Sequence, residues 1–153
     1  MISPGEYAHQ QTYGGYEINW SNDADNVYIG IRANTSGFVA VGIQPGFGMQ
    51  NADIIFGVVT DGQASVYDMF STGIWGPHPE DTELGGTSDI SVFGGSEADG
   101  YTVIEFQRAL DTGDADYDHT LVPGNNSIIW AFGTGDSLTI QHSTRGSGSI
   151  TID

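Results

Sequence analysis

The sequence predicts an all-β fold, an antiparallel β-sandwich of roughly nine to eleven strands. The 153 residues include 23 glycines, and short apolar runs alternate with clusters of Gly, Ser, Thr, Asn and Asp that are typical of turns. No segment has the apolar period of a helix of three turns. The length is that of one domain, so we expect a single domain over residues 1–153, with residues 1–15 as a candidate ragged N-terminal segment.

The first half of the chain predicts a meander of strands. Residues 16–20 and 27–33 alternate large apolar with polar side chains, which is the pattern of a strand with one buried face. The pair Asp61-Gly62 is a strong hairpin signal, and it predicts that residues 54–59 pair with residues 64–70.

The central stretch, residues 37–59, contains two apolar runs that are too short for helices and that predict buried strands. The loop between them, residues 44–52, is rich in glycine and carries Met49. Glycine lets a backbone turn sharply and approach a partner closely. A thioether in such a loop has two interpretations: a side chain that fills the sandwich edge, or a ligand.

In the second half, residues 71–87 form a long Gly- and Pro-rich loop of the kind that is often functional or mobile. Further strands are predicted at residues 89–94, 96–100, 101–110, 127–132, 138–140 and 150–152.

Charge is the strongest compositional signal, because 20 Asp and Glu face only 3 Arg and no Lys, a formal net charge of −17 at pH 7. Nucleic acids and anionic membrane surfaces both require a basic surface, so these two classes of partner are excluded. An acidic surface suits high salt, where screening relieves repulsion. We therefore expect an extracellular, cell-surface or high-salt setting. No apolar run approaches the roughly 20 residues of a membrane-spanning helix.

The sequence lacks the motifs of common enzyme classes. It has no GxSxG, no HExxH and no Gly-rich phosphate loop. The absence of Cys excludes covalent haem attachment, cysteine zinc sites and iron–sulfur clusters. The sequence therefore gives no support for an enzyme of these classes.

A second candidate site lies near the C-terminus, where His142 follows a predicted strand and precedes Arg145. An arginine beside a histidine in so acidic a chain suggests an anionic partner, either an internal carboxylate or a ligand.

Taken together, these stretches resemble the DOMON domain family, in the branch that includes the haem-binding cytochrome domain of cellobiose dehydrogenase and the domains fused to cytochrome b561 membrane proteins. The resemblance covers residues 16–153. It rests on eight segments in order: the strand that ends at Trp20, then GFVAVGI, GFGMQNADIIFG, STG, SEADGYTVIEF, LDTGDADYD, IIWAFG and SLTIQHSTRG.

This resemblance implies an immunoglobulin-like sandwich and, as in the haem-binding members, a non-covalent b-type haem between a loop methionine and a late histidine. Met49 and His142 fall on those two positions. Met/His ligation leaves no open site on the iron and raises its reduction potential. The implied function is therefore transfer of single electrons to or from a redox partner.

Proximity in sequence suggests further haem contacts. We expect Phe47, Ile54, Trp75 and Phe132 to cover the porphyrin and Arg145 to neutralise a propionate.

Other members of this family lack the ligand pair, so a haem-free carbohydrate- or small-ligand-binding module is the alternative. Trp20, Trp75 and the loop tyrosines would then stack on a sugar ring. A spacer domain with neither ligand is a third possibility. His78 and His119 are competing metal ligands, which we expect to be exposed.

The acidic turn at residues 111–118 is a candidate calcium site. Asp114, Asp116 and Asp118 alternate at the spacing that wraps a hard cation, and Asp111 precedes them. The turn lacks the Gly and Glu of the EF-hand loop, and turn-forming aspartates are the competing interpretation.

Overall fold

The computed structural model describes residues 2–153, which form ten strands and one short helix. The strands are β1 His9–Tyr13, β2 Tyr16–Asn22, β3 Asn26–Ala33, β4 Val39–Ile43, β5 Asp53–Thr60, β6 Gln63–Phe70, β7 Val92–Ala98, β8 Tyr101–Ala109, β9 Gly124–Phe132 and β10 Thr144–Ile152. The helix α1 is Asp81–Leu84. The predicted antiparallel β-sandwich is confirmed.

Two five-stranded antiparallel sheets face each other. The first has the strand order β1-β2-β3-β8-β7, and the second has the order β10-β9-β4-β5-β6. The predicted hairpin at Asp61-Gly62 joins β5 to β6. Both turn residues have positive φ, 53° and 77°, which is the requirement of a tight type I′ turn.

Three local predictions differ from the structure. Residues 89–94 and 96–100 are not separate strands, because the single strand β7, Val92–Ala98, spans parts of both. Residues 9–13 are not ragged, because they form β1 and pair with β2 from His9 opposite Trp20 to Tyr13 opposite Tyr16. Residues 138–140 are not a strand, because the Ile140 amide donates to the Ser137 carbonyl (3.2 Å) and closes a turn.

The main core lies between the sheets. Alternate residues of each strand point inward, as in any sandwich, and on β9 these are Ile128, Trp130 and Phe132. Trp130 stacks between Tyr13 and Tyr16, with ring centroids 5.5 and 4.9 Å apart.

The second sheet is also apolar on its outer face, which explains why β4 and β5 read as continuous apolar runs. Ala40, Ile54, Phe56 and Met69 form a separate buried cluster there with Phe38. Outward-facing residues of a sandwich are ordinarily polar. Loops must therefore cover this face, and they form the candidate site.

Candidate functional site

A pocket of about 780 Å³ lies over the outer face of the second sheet. Its floor comes from β4, β5, β6, β9 and the start of β10. Its walls come from three segments: residues 44–52, residues 71–80 and residues 133–143. Ligand pockets typically have volumes of roughly 300–1,000 Å³ and mostly apolar linings. This pocket has both properties.

Small side chains make the depression in the floor. Ala40, Gly42 and Ala131 line it where larger residues would fill it. At Gly42 the space is restricted from one side, because an added Cβ would lie 2.8 Å from Ile129 Cγ1. Glycine here allows Ile129 to pack closely across the floor.

The loop of residues 44–52 brings Met49 into the pocket wall. The Gly46 amide donates to the Gln50 carbonyl (2.7 Å), and the Ala52 amide donates to the Met49 carbonyl (3.0 Å). The Asn51 amide donates to the Ser71 carbonyl (2.9 Å), which ties this loop to the segment that follows β6. The backbone around Met49 is thereby held on both sides.

His142 lines the same pocket from the segment of residues 133–143. The Ser143 amide next to it donates to the Phe132 carbonyl (3.0 Å), which fixes the return into β10. Partial burial lowers the pKa of the His142 ring, and the charge of Arg145 lowers it further. His142 is therefore neutral at pH 7, the form that binds a metal.

His78 also lines this pocket, from the segment of residues 71–80. Its side chain is half-buried, contrary to our expectation of an exposed residue. Burial lowers the pKa of its ring, and the nearby His142 lowers it further. The buried Nδ1 of His78 has no hydrogen-bond partner within residues 2–153.

The pocket differs in charge from the rest of the protein. None of the described residues that line it is an aspartate or a glutamate, and Arg145 contributes a guanidinium. The other two arginines are engaged elsewhere: Arg32 lies 3.4 Å over the Tyr101 ring, and Arg108 is in a buried ion pair. Arg145 makes no ion pair within the described residues.

The other predicted contacts are divided between the pocket and the core. Ile54 is on the pocket floor, while Phe47 and Trp75 are at its rim, 82% and 74% exposed. Phe132 packs in the inner core and does not line the pocket, because alternation along β9 turns its neighbour Ala131 outward instead. Trp20 is buried and donates from Nε1 to the Thr151 carbonyl (2.8 Å), so it cannot stack on a sugar.

Sequence reasoning missed Met69 as a pocket residue. It lies in β6, is 3% exposed and belongs to the floor. The period-2 pattern could have found it, since Met69 pairs with Ile54 across the β5–β6 hairpin and shares its face. His119 lies outside the pocket, with Nε2 2.6 Å from the Asn51 carbonyl oxygen.

A second cluster of polar groups lies at one end of the core. Carboxylate oxygens of Asp53 on β5, Asp68 on β6 and Asp118 lie within 4.8 Å of one another, and all three residues are buried. Arg108 on β8 reaches them from the opposite sheet, with Nη2 2.6 Å from Asp53 Oδ2 and 3.6 Å from Asp118 Oδ1. We call these four residues the acidic cluster.

The acidic cluster holds more negative than positive charge. Burial raises the pKa of Asp53 to about 7 against the opposing effect of Arg108, and burial raises the pKa of Asp68 to about 7. Asp81 in α1 is 0% exposed, and burial together with these neighbouring charges raises its pKa to about 8. Both carboxylate oxygens of Asp81 and of Asp118 lack a hydrogen-bond partner within residues 2–153.

The calcium set expected from the sequence is only partly brought together. Asp118 belongs to the acidic cluster, whereas Asp111 and Asp116 are exposed. Asp111 Oδ1 accepts from the Gly113 amide (3.0 Å) and Asp114 Oδ2 accepts from the Thr87 amide (2.8 Å). Asp111 therefore stabilises its own turn, and Asp114 ties residues 111–118 to the segment that follows α1.

Comparison with known protein families identifies the chain. The model of the DOMON domain matches residues 12–133. The chain belongs to the DOMON family. The matched part of this DOMON domain includes Met49, while His142 lies beyond it.

The DOMON domain is similar in sequence to parts of longer proteins. It is 29% identical over 134 residues to "DBH-like monooxygenase protein 1" of Mus musculus, covering 85% of this chain and 21% of that protein. The Homo sapiens protein of the same name is 27% identical over 119 residues, covering 78% and 18%. "MOXD1 homolog 2" of Drosophila melanogaster is 26% identical over 117 residues, covering 76% and 15%. The chain thus spans about a fifth of the length of these relatives.

Two solved structures share the fold of this DOMON domain. The cytochrome b domain of pyranose dehydrogenase from Coprinopsis cinerea superposes with a TM-score of 0.63 at 12% identity, covering 89% of this chain and 76% of that one. The cytochrome domain of Myriococcum thermophilum cellobiose dehydrogenase gives a TM-score of 0.65 at 14% identity, covering 94% and 77%. No helix within residues 2–153 is long and apolar enough to cross a membrane.

Proposed function

We propose that this DOMON domain binds haem b non-covalently in the outer pocket and carries single electrons. Met49 and His142 are the proposed axial ligands. The observation that carries the proposal is that two segments far apart in sequence bring both side chains to the lining of one pocket.

The chemistry of the lining supports a porphyrin. The floor is apolar, with Phe38 and Phe56 stacked at 4.4 Å between ring centroids, and an apolar floor suits the face of a large hydrophobic ring. The small residues Ala40, Gly42 and Ala131 leave room over the floor. Phe47 and Trp75 stand at the rim, where they would cover the ring.

The proposed ligand atoms are in the right chemical state. The lowered pKa of His142 keeps an imidazole lone pair available at neutral pH. A thioether is a soft ligand that needs no deprotonation. Haem held by His and Met supplies a one-electron iron couple with a raised potential and no open coordination position.

The position of Arg145 favours a ligand that carries an anionic group. It is the one arginine at the pocket and has no ion-pair partner within the described residues. A propionate would pair with its guanidinium. The absence of carboxylates among the described lining residues removes the repulsion that an anionic ligand would meet elsewhere on a chain of net charge −17.

The redox partner would be another protein or domain. The acidic surface favours a basic or cation-bridged partner and makes association depend on salt. An extracellular or cell-surface location, expected from the acidic composition, stays a prediction, as does a high-salt setting.

Titration of the purified protein with haem tests this proposal. We expect saturable binding of one equivalent. In the variant Ala131→Trp the indole would occupy the pocket, and binding should be lost while the thermal unfolding transition is kept. Val122→Trp is the matched control, because Val122 is exposed and does not line the pocket. Equal haem binding by the wild type and Ala131→Trp would overturn the choice of pocket.

The alternative function is a haem-free module that binds a carbohydrate or another small ligand. The exposed rim aromatics Phe47 and Trp75 favour it, because such rings stack on sugars and other flat ligands. A wild-type protein that takes up no haem but binds oligosaccharides, with loss in Trp75→Ala, would support this alternative.

We further propose that the acidic cluster binds a divalent cation, with calcium as the ion. Calcium takes six to eight oxygen ligands, carboxylates above all, and Asp53, Asp68 and Asp118 present oxygens within 4.8 Å of one another. Asp81 adds a buried carboxylate without a hydrogen-bond partner in the described chain. The three carboxylates of the acidic cluster face one guanidinium, so a cation or bound protons must balance the charge.

A further inference from the structure

His78 is the pocket residue that the proposed haem site leaves unexplained. It is half-buried, and its Nδ1 is buried without a hydrogen-bond partner within residues 2–153. A buried polar atom without a partner is destabilising, because it has given up its hydrogen bonds to water. Such an atom therefore calls for a ligand or a functional reason.

The two histidines outside the pocket, His9 and His119, each lie within hydrogen-bond distance of another group. His119 Nε2 lies 2.6 Å from the Asn51 carbonyl oxygen, and His9 Nε2 lies 2.8 Å from Asp153 Oδ2. Neither lines the pocket. Of the four histidines in the chain, the two that remain, His78 and His142, both face the same apolar space.

His78 and Met49 come from segments that are packed together. The Asn51 amide donates to the Ser71 carbonyl (2.9 Å), and an added Cβ on Gly48 would lie 3.8 Å from Ile74 Cγ2. His142 comes from a third segment, residues 133–143, and lines the same pocket. The pocket thus offers three candidate metal ligands. Met49 and His78 come from two segments that pack together, and His142 comes from a third.

We propose that His78 is a reserve ligand, which would hold the haem iron together with His142 in place of Met49. This inference rests on the proposed haem-binding function. A neutral imidazole binds haem iron as readily as a thioether does. Replacement would convert Met/His ligation to bis-histidine ligation and lower the reduction potential, because the thioether is the ligand that raises it.

The test compares haem-loaded wild type with Met49→Ala, His78→Ala and the double variant, by absorption and electron paramagnetic resonance. Met49→Ala should lose the methionine-to-iron charge-transfer band but keep a six-coordinate low-spin spectrum. His78→Ala should keep the wild-type spectrum. The double variant should lose the low-spin spectrum.

Two controls exclude other ligands. Met69→Leu in the Met49→Ala background removes the second thioether of the pocket, and loss of the low-spin spectrum in that variant would make Met69 the replacement ligand in place of His78. His9→Ala in the same background removes a histidine far from the pocket and should have no effect.

Failure of this inference is distinguishable from failure of haem binding. If the wild type binds one equivalent of haem but Met49→Ala alone becomes high-spin, His78 does not replace Met49 and only this inference is overturned. The same holds if the double variant remains low-spin. A wild type that takes up no haem overturns the inference and the proposed function together.

Discussion

Arg108 on β8 and Asp53 on β5 form a fully buried ion pair that joins the two sheets, with 2.6 Å between Nη2 and Oδ2. Asp53 Oδ2 also accepts a hydrogen bond from the His119 amide (3.0 Å), and Arg108 donates to the His119 carbonyl (3.2 Å). The pair therefore fixes the loop after β8 as well as the end of the core.

Removing this guanidinium should destabilise the fold. Arg108→Met would leave the buried carboxylates Asp53 and Asp118 without a cation, and loss of one partner of a buried pair costs about 3–5 kcal/mol. The free energy of unfolding in urea measures the effect. Arg32→Met is the matched control, since Arg32 stacks on Tyr101 and makes no ion pair within residues 2–153. A cation–π contact is worth about 0.5–2 kcal/mol. Equal losses in the two variants would contradict the role of Arg108.

Stability should fall as the pH rises from about 5 to about 8 in the presence of a chelator. The pKa values of Asp53 and Asp68 are raised to about 7 in the folded protein, against about 3.9 in an unfolded chain. The folded state therefore binds more protons between these values, and its stability is lost as the pH rises through the folded pKa.

Urea unfolding at pH 5 and pH 8 tests this dependence. Asp68→Asn should show a smaller loss of stability than the wild type, because it removes one group that must ionise. Exposed Asp111 provides the control, and Asp111→Asn should lose as much as the wild type. A loss that is the same in all three proteins would rule out the acidic cluster as the source.

Calcium should raise the melting temperature of the wild type, and chelation should reverse the rise. A ligand that binds only the folded state stabilises it by mass action. Asp68→Asn and Asp118→Asn should abolish the rise, whereas Asp111→Asn and Asp116→Asn should keep it, since these two side chains are exposed away from the acidic cluster. The opposite pattern would return the calcium site to the 111–118 turn.

Arg145→Gln should weaken haem binding about threefold to tenfold, because an exposed ion pair with a propionate contributes roughly 1 kcal/mol to the binding free energy. The difference between wild type and variant should shrink in high salt, because salt screens exposed charges. Arg32→Gln removes an equal charge away from the pocket and should have little effect. Equal affinities of Arg145→Gln and the wild type at low salt would remove Arg145 from the site.

Phe47→Ala and Trp75→Ala should leave stability within about 0.5 kcal/mol of the wild type, because the two side chains are 82% and 74% exposed. Haem affinity should nevertheless fall in both, since a bound ring would be covered by them. Thermal unfolding and haem titration of the same samples separate the two effects. Unchanged affinity in both variants would show that the rim does not contact the ligand.

The strand pattern was readable from the sequence because alternation and turn residues act locally. Asp61-Gly62 has the backbone that its turn type requires. The apolar runs of β4 and β5 are continuous because both faces of these strands are buried. The sequence alone does not say whether the outer face packs against another sheet or forms the floor of a ligand pocket.

Register and long-range assembly were not readable in the same way. A shift of one residue decides whether a β9 side chain faces the core or the pocket, which is why Phe132 was expected at the porphyrin and lies inside. The acidic cluster joins Asp53, Asp68 and Asp118 from three separate elements, and no local motif marks such a site. His78 reaches the pocket from a Gly- and Pro-rich segment without any periodic pattern.

The most direct test of the haem site is the absorption spectrum of the haem-loaded protein, oxidised and then reduced, beside Met49→Ala and His142→Ala. We predict a low-spin spectrum in both states of the wild type, with a methionine-to-iron band when oxidised. Met49→Ala should lose that band, and His142→Ala should lose the low-spin spectrum. A wild type that stays colourless, or a coloured protein whose spectrum neither substitution changes, would contradict Met49 and His142 as the ligands of a haem in this pocket.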